Sequence, residues 1–213
     1  MSFLDFDFEK WIGEAARKLD LHPVMNVPEE YRVLELSESG SYSTEQINQM
    51  IDSGEWAVGG YLENRANMYL APQYENRRNI HMGVDIWAPA GEPCYAVTDG
   101  KVCYLANNDQ DGNYGGTVVI MHKIDDFEIF SLYGHLSLRS LEVNKPGKKL
   151  KPGDIVGWLG DESENGNWPP HLHYQLSVDD PEKADMPGVV AAEDLINMRT
   201  KHPDPRILLP GLY

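Results

Sequence analysis

Two short patterns carry the residues with the most chemical potential: His81-Met82-Gly83-Val84-Asp85 and His171-Leu172-His173. In a straight strand, positions four apart share a face but stand about 13 Å from each other, too far to bind one ion. Gly83 lets the chain bend so that the imidazole of His81 and the carboxylate of Asp85 converge. Positions two apart point to the same side about 6.6–7 Å apart. That spacing puts one ring of the His171/His173 pair on a metal and its neighbour within reach of a bound substrate. A further histidine, His135, ends a β-rich run at Tyr133-Gly134-His135-Leu136. Two histidines and one carboxylate leave a fourth position open, which is the arrangement of a catalytic zinc ion and its activated water. The same ligand types suit a non-haem iron oxygenase, so ligand type leaves both open.

These residues lie in a stretch whose pattern predicts the frame around them. Between 77 and 178, short β-branched and aromatic runs alternate with turn signals such as Ala90-Gly91, Asp99-Gly100, Gly115-Gly116 and Lys151-Pro152-Gly153. The predicted strands are 84–87, 94–97, 100–106, 117–122, 128–134, 155–159 and 173–177. With no long helix between them, they predict a mainly β fold built on an antiparallel sheet.

Residues 1–70 carry helical signals instead. Phe8, Trp11, Ile12, Ala15, Ala16 and Leu19 recur at helical spacing. A second helix is expected from Ser43 or Thr44 to Asp52, with Gly54 as its stop, and a strand over Tyr31–Leu36. Nothing in this stretch has a catalytic pattern. The organisation expected is a helical N-terminal extension over 1–70, a β domain over 71–180, and a C-terminal helix around Ala191–Met198 with a Pro-rich tail over 181–213.

The sequence matches beyond the ligands. Arg77-Arg78-Asn79-Ile80-His81-Met82-Gly83-Val84-Asp85-Ile86 is followed by Ala88-Pro89-Ala90-Gly91 and Ala96-Val97-Thr98-Asp99-Gly100-Lys101-Val102. Tyr114-Gly115-Gly116-Thr117-Val118-Val119-Ile120, Tyr133-Gly134-His135-Leu136-Ser137, Pro152-Gly153-Asp154-Ile155-Val156-Gly157 and His171-Leu172-His173-Tyr174 continue in order. This series resembles the M23 family of zinc endopeptidases, the LytM or lysostaphin type. The resemblance implies a LytM-type β domain with Zn2+ held by His81, Asp85 and His173. It implies that His135 and His171 line the site as base or as electrostatic partners of the water and the developing oxyanion. The implied reaction is hydrolysis of peptide bonds in peptidoglycan cross-links or related short peptides. The chain departs from that family at Asp161–Pro170, an acidic, Pro-closed loop where the family carries a Gly/Ser/Thr-rich one. A module that keeps the fold but only binds wall peptides, its groove occluded, is the alternative reading.

Composition narrows the partners. Eighteen basic against 34 acidic residues in 213 leave a formal charge of -16, which repels phosphate backbones and excludes nucleic acid as an expected partner. No segment approaches the about 20 apolar residues of a membrane span. The start, MSFLDFDFEKW, lacks a basic flank followed by an apolar core. Cytoplasmic residence is therefore expected of the sequence as it stands, and the cell envelope if another export route serves it or its start was trimmed. Cys94 and Cys103 flank the expected hairpin turn at Asp99-Gly100, which makes them diagonal neighbours about 7–8 Å apart, beyond disulfide reach. Both are read as buried thiols rather than metal ligands. His22 and His202 fall outside the matching blocks and are expected in solvent. His122 is expected at a strand end or behind the ligands rather than as a ligand, Trp168 at the rim, and Arg77 and Arg78 either in solvent or on a substrate carboxylate.

Overall fold

The computed structural model describes residues 8–37, 42–65, 68, 69, 74, 77–209, 211 and 212. The N-terminal third runs α1 (Phe8–Ala16), β1 (Arg32–Val33), α2 (Thr44–Asp52) and β2 (Ala57–Gly59). The centre follows with β3 (Ile80–His81), β4 (Val84–Trp87), β5 (Pro93–Tyr95), β6 (Gly100–Asn108), β7 (Gly115–Ile124) and β8 (Phe127–Leu136). The rest is α3 (Leu138–Glu142), β9 (Lys149–Leu150), β10 (Ile155–Trp158), β11 (His171–Ser177), β12 (Val189–Val190), α4 (Leu195–Lys201) and a 3-10 turn at Pro205–Leu208. The fold is mainly β, with small helices at both ends.

Eight strands form one sheet in the order β1-β2-β4-β11-β8-β7-β6-β9, and β10-β5 and β12-β3 form two small ribbons. Every pairing within the large sheet is antiparallel except β1 with β2. Alternation along β11 decides what each face does. Leu172, Tyr174 and Leu176 enter the main core together with Val84 and Ile86 of β4, so His171, His173 and Gln175 share the opposite face with Asp85 and Trp87. One face of the central strands is thus apolar packing and the other is chemistry.

The helices close the edges. Ser43 caps α2 through the Gln46 amide, and the Gln46 side chain accepts from the Ser43 N–H in return. Ile47, Met50 and Ile51 on its buried face pack with Leu34, Leu36, Ala57 and Trp87. Ile12, Ala15 and Ala16 of α1 join the main core. Among the described residues, no helix is long and apolar enough to cross a membrane.

Three expectations are corrected. The segment holding Cys94 does not return on itself at Asp99-Gly100: β5 pairs with β10, while β6 pairs with β7 and β9. Both thiols are free, Cys94 buried as expected but Cys103 only half-buried. The C-terminal helix begins at Leu195, four residues later than Ala191, because Val189–Val190 is taken up in the ribbon with β3.

Candidate metal centre

His173 on β11 sits directly opposite Asp85 on β4, and His171 opposite Trp87. His81 reaches the same point from outside the large sheet, since β3 belongs to the ribbon with β12. The chain bends between β3 and β4, where Gly83 is also a space requirement. A Cβ there would lie 2.4 Å from Cε1 of His173, so only glycine lets that ring approach the strand.

Three donor atoms converge. His81 Nε2 lies 3.0 Å from His173 Nδ1 and 3.3 Å from Asp85 Oδ1, and His173 Nδ1 lies 3.1 Å from that same oxygen. Each ring's far nitrogen is committed as a donor: His81 Nδ1–H to the Gly60 carbonyl at 2.9 Å, His173 Nε2–H to Gln175 Oε1 at 2.9 Å. That assignment leaves a lone pair on each inward nitrogen. Two lone pairs and a carboxylate oxygen facing one another repel unless a cation lies between them. Ligand distances of about 2.0–2.2 Å in a tetrahedral site put donor atoms roughly 3.3–3.5 Å apart, close to the spacing found. The donor set fits a zinc-sized ion. All three residues are buried.

Electrostatics keep Asp85 and His81 in forms that can bind a metal. Burial opposes the charge of Asp85, but His81 and the Arg65 guanidinium beside it outweigh that and hold its pKa well below the usual carboxylate range. Burial, reinforced by Arg65, pushes His81 down to about 4. Neither ligand needs to lose a proton at neutral pH.

His135 and His171 stand beside this point, their ring centroids 4.2 Å apart. His171 Nε2 is 4.0 Å from Asp85 Oδ1, and its ring stacks on Trp87 at 5.7 Å. Burial lowers the pKa of both; for His135 the neighbouring His171 and His173 add to the shift. Their Nδ1–H groups donate to carbonyls of the acidic loop, His171 to Pro169 at 2.7 Å and His135 to Asn165 at 2.8 Å. The loop whose composition departs from the resembled family therefore orients both rings. It also leaves each Nε2 as an acceptor. His135 reaches the site against strand alternation, which would send it to the core face with Tyr133. Its φ of 61° breaks the alternation at a cost on the order of 1–3 kcal/mol.

The sequence reading missed the residues behind the ligands. Arg65 Nη1 donates to Asp85 Oδ2 at 2.6 Å from a stretch with no catalytic pattern. Gln175 was missed as well, although the alternation that pairs His171 with His173 continues to it. His202 is corrected from solvent to the interior. It is 5% exposed, donates Nδ1–H to the Leu176 carbonyl at 3.0 Å and lies 3.2 Å from Gln175 Nε2. His22 is half-buried against Tyr95 rather than free in solvent. His122 is fully buried on Ser131 and the Asp99 carbonyl, and takes no part in the centre.

The centre opens into a cavity of about 700 Å³ whose walls include Tyr69, Tyr74, Arg78, Tyr114 and Trp168. Arg77 instead pairs with Glu193 at the surface. Trp168 is half-buried, and its Nε1 is buried without a hydrogen-bond partner among the described residues.

Comparison with known proteins gives a family match, described as peptidase family M23, over residues 79–185. The DD-carboxypeptidase/endopeptidase Mpg of Neisseria meningitidis serogroup B is 30% identical over 99 residues, 46% of this chain and 20% of that protein. The glycyl-glycine endopeptidase ALE-1 of Staphylococcus capitis is 36% identical over 95 residues, 45% of this chain and 24% of its own. The peptidoglycan DD-endopeptidase ShyC of Vibrio cholerae serotype O1 is 36% identical over 98 residues, 46% of this chain and 20% of its own. The chain thus spans about a fifth to a quarter of the length of these relatives.

Proposed function

The chain belongs to peptidase family M23, and from that premise we propose that it is a zinc-dependent endopeptidase acting on peptidoglycan cross-links or related short peptides. The observation that carries the reading is the convergence of His81 Nε2, Asp85 Oδ1 and His173 Nδ1 within 3.0–3.3 Å of one another. His81, Asp85 and His173 would hold the ion. When bound, zinc supplies a water of lowered pKa and polarises the carbonyl under attack.

The chain's own residues do the rest. His135 and His171, neutral and with Nε2 free to accept, are set to take a proton from the attacking water. Protonated, they lie where they favour negative charge on the carbonyl oxygen and can pass a proton to the departing amine. Trp87 and the loop carbonyls of Asn165 and Pro169 keep these rings from turning. The cavity gives the peptide a path past the centre.

Support for the substrate class comes from relatives named as peptidoglycan and glycyl-glycine endopeptidases. The test is metal content together with hydrolysis of peptidoglycan fragments, glycine-rich peptides and simple dipeptides. About one zinc per chain, with cleavage lost to a chelator, is expected; an active, metal-free protein would sink the reading.

One observation favours the binding-module alternative. Tyr74 donates its hydroxyl to the Gly112 carbonyl, tying together two segments that both line the cavity. If that tie occludes the groove, Tyr74→Phe raises turnover; if it shapes a working wall, turnover stays level or falls.

A further inference from the structure

Asp85 divides its two oxygens between different partners. Oδ1 faces the inward nitrogens of His81 and His173, and Oδ2 accepts from Arg65 Nη1 at 2.6 Å. Arg65 is 2% exposed, one of the largest fully buried side chains in the protein. Its Nε donates to Glu63 Oε2 at 2.7 Å. A guanidinium this deep is retained only if it is paired on more than one side, since removing a charge from water costs several kcal/mol. Here two carboxylates, the part-buried Glu63 and the buried Asp85, outnumber the guanidinium, and a cation at the donor point restores the balance.

The loop that carries Arg65 is built onto the strand that carries His81. Leu62 N–H donates to the His81 carbonyl at 2.8 Å, His81 N–H to the Glu63 carbonyl at 2.9 Å, and Arg65 N–H to the Asn79 carbonyl at 2.8 Å. Gly60 opens the loop with φ +89° and leaves the space the guanidinium fills, because a Cβ there would lie 2.1 Å from Nη2. Its carbonyl is the acceptor that fixes the His81 ring. Glu63, from its other oxygen, holds the Leu36 amide. Six residues, Gly60 to Arg65, therefore set the orientation of two of the three donors and tie them to the N-terminal segment.

We infer that Arg65 is a positioning residue of the metal centre: by engaging Asp85 Oδ2 it holds the carboxylate to one donor oxygen and keeps the remaining coordination position free for water. The inference rests on the metal-centre reading above. An Asp carboxylate with both oxygens free can swing to bind an ion through two atoms, which fills the vacancy a catalytic site needs. The planar fork of arginine spans Asp85 and Glu63 at once, and the ammonium of lysine cannot reproduce that geometry. Outer partners of this kind tune affinity as well as orientation.

The experiment compares the wild-type chain, Arg65→Met and Arg65→Lys, with His173→Ala as a reference lacking a donor. Each is loaded with Co2+, whose visible absorption is strong in four-coordinate sites and weakens at five or six. Affinity for Zn2+ is read by competition with a chromophoric chelator. Arg65→Met should weaken zinc binding by about 10- to 100-fold and reduce the cobalt absorption, with kcat falling and KM holding. Arg65→Lys should regain part of the affinity without regaining the absorption. Wild-type absorption and affinity in folded Arg65→Met would overturn the inference. Should that variant not fold, unchanged cobalt absorption in Arg65→Lys would overturn it equally. Wild type that binds no metal at all would instead sink the metal-centre reading, so the two failures are distinct.

Discussion

His173 Nδ1 stands 3.1 Å from Asp85 Oδ1 because the two residues face each other across the β11–β4 ladder. Cross-strand pairing brings side chains on one face within about 4.5–5.5 Å at Cβ, so this half of the donor set is fixed by the sheet itself. His81 is added by the bend at Gly83. His171 lies one alternation away, 4.0 Å from the same oxygen. This difference separates the two histidines experimentally. His173→Ala should abolish stoichiometric zinc. His171→Ala should keep it and lose roughly 10²–10⁴-fold in kcat. Elemental analysis beside a peptide-cleavage assay decides, and zinc loss in His171→Ala would reverse the assignment.

Gly83→Ala tests the bend without touching a donor. The new methyl would meet the His173 ring at 2.4 Å and push it off the donor point. Overpacking of this kind costs about 1–3 kcal/mol, which corresponds to roughly 5- to 150-fold in zinc affinity. Chelator competition reads the loss, and an unchanged affinity would show that the ring has room elsewhere.

Arg77 and Arg78 are adjacent in sequence and separated in structure. Arg77 pairs with Glu193 at the surface, whereas Arg78 lines the cavity and its buried Nε has no partner among the described residues. Arg78→Ala should raise KM roughly tenfold for peptides bearing a free carboxylate, equivalent to about 1.4 kcal/mol, and leave neutral peptides little changed. Arg77→Ala should leave both unchanged. Equal effects of Arg78→Ala on charged and neutral peptides would remove the carboxylate contact.

His122 gives the fold a predictable acid sensitivity. Burial pushes its pKa from 6.5 to about 4, so the unfolded chain binds a proton between those values that the folded chain does not. The His122 contribution is fully present above pH 6.5 and is lost as pH falls through about 4. Its size is roughly 3 kcal/mol. Urea melts at pH 7 and pH 4.5 should show a smaller pH-dependent loss for His122→Gln than for wild type; parallel losses would place the sensitivity elsewhere.

The amino-acid sequence by itself determined the central strands β4, β6, β7, β8 and β11 of the sheet, though not β2 and β9, and the chemical types gathered at its centre. Period-two alternation dictates which side chains share a face, and a glycine between His81 and Asp85 permits a bend; both are local properties of the chain. The helix beginning at Thr44 was legible for the same reason, from Ser43, the apolar face and Gly54. Only the tertiary structure decided what stands behind the donors. Arg65 comes from a stretch with no catalytic pattern, and its role exists because the loop after β2 pairs with Asn79–His81. His202 looks solvent-facing in sequence and is buried because the end of α4 packs over β11. His135 would face the core by alternation, and a left-handed backbone, stabilised by contacts distant in sequence, turns it to the site. Cys94 lies in a segment that locally suggests a hairpin, yet pairs with β10, some 60 residues on. Local sequence sets backbone geometry over a few residues, whereas burial and pairing are settled by the competition of distant segments for the same core.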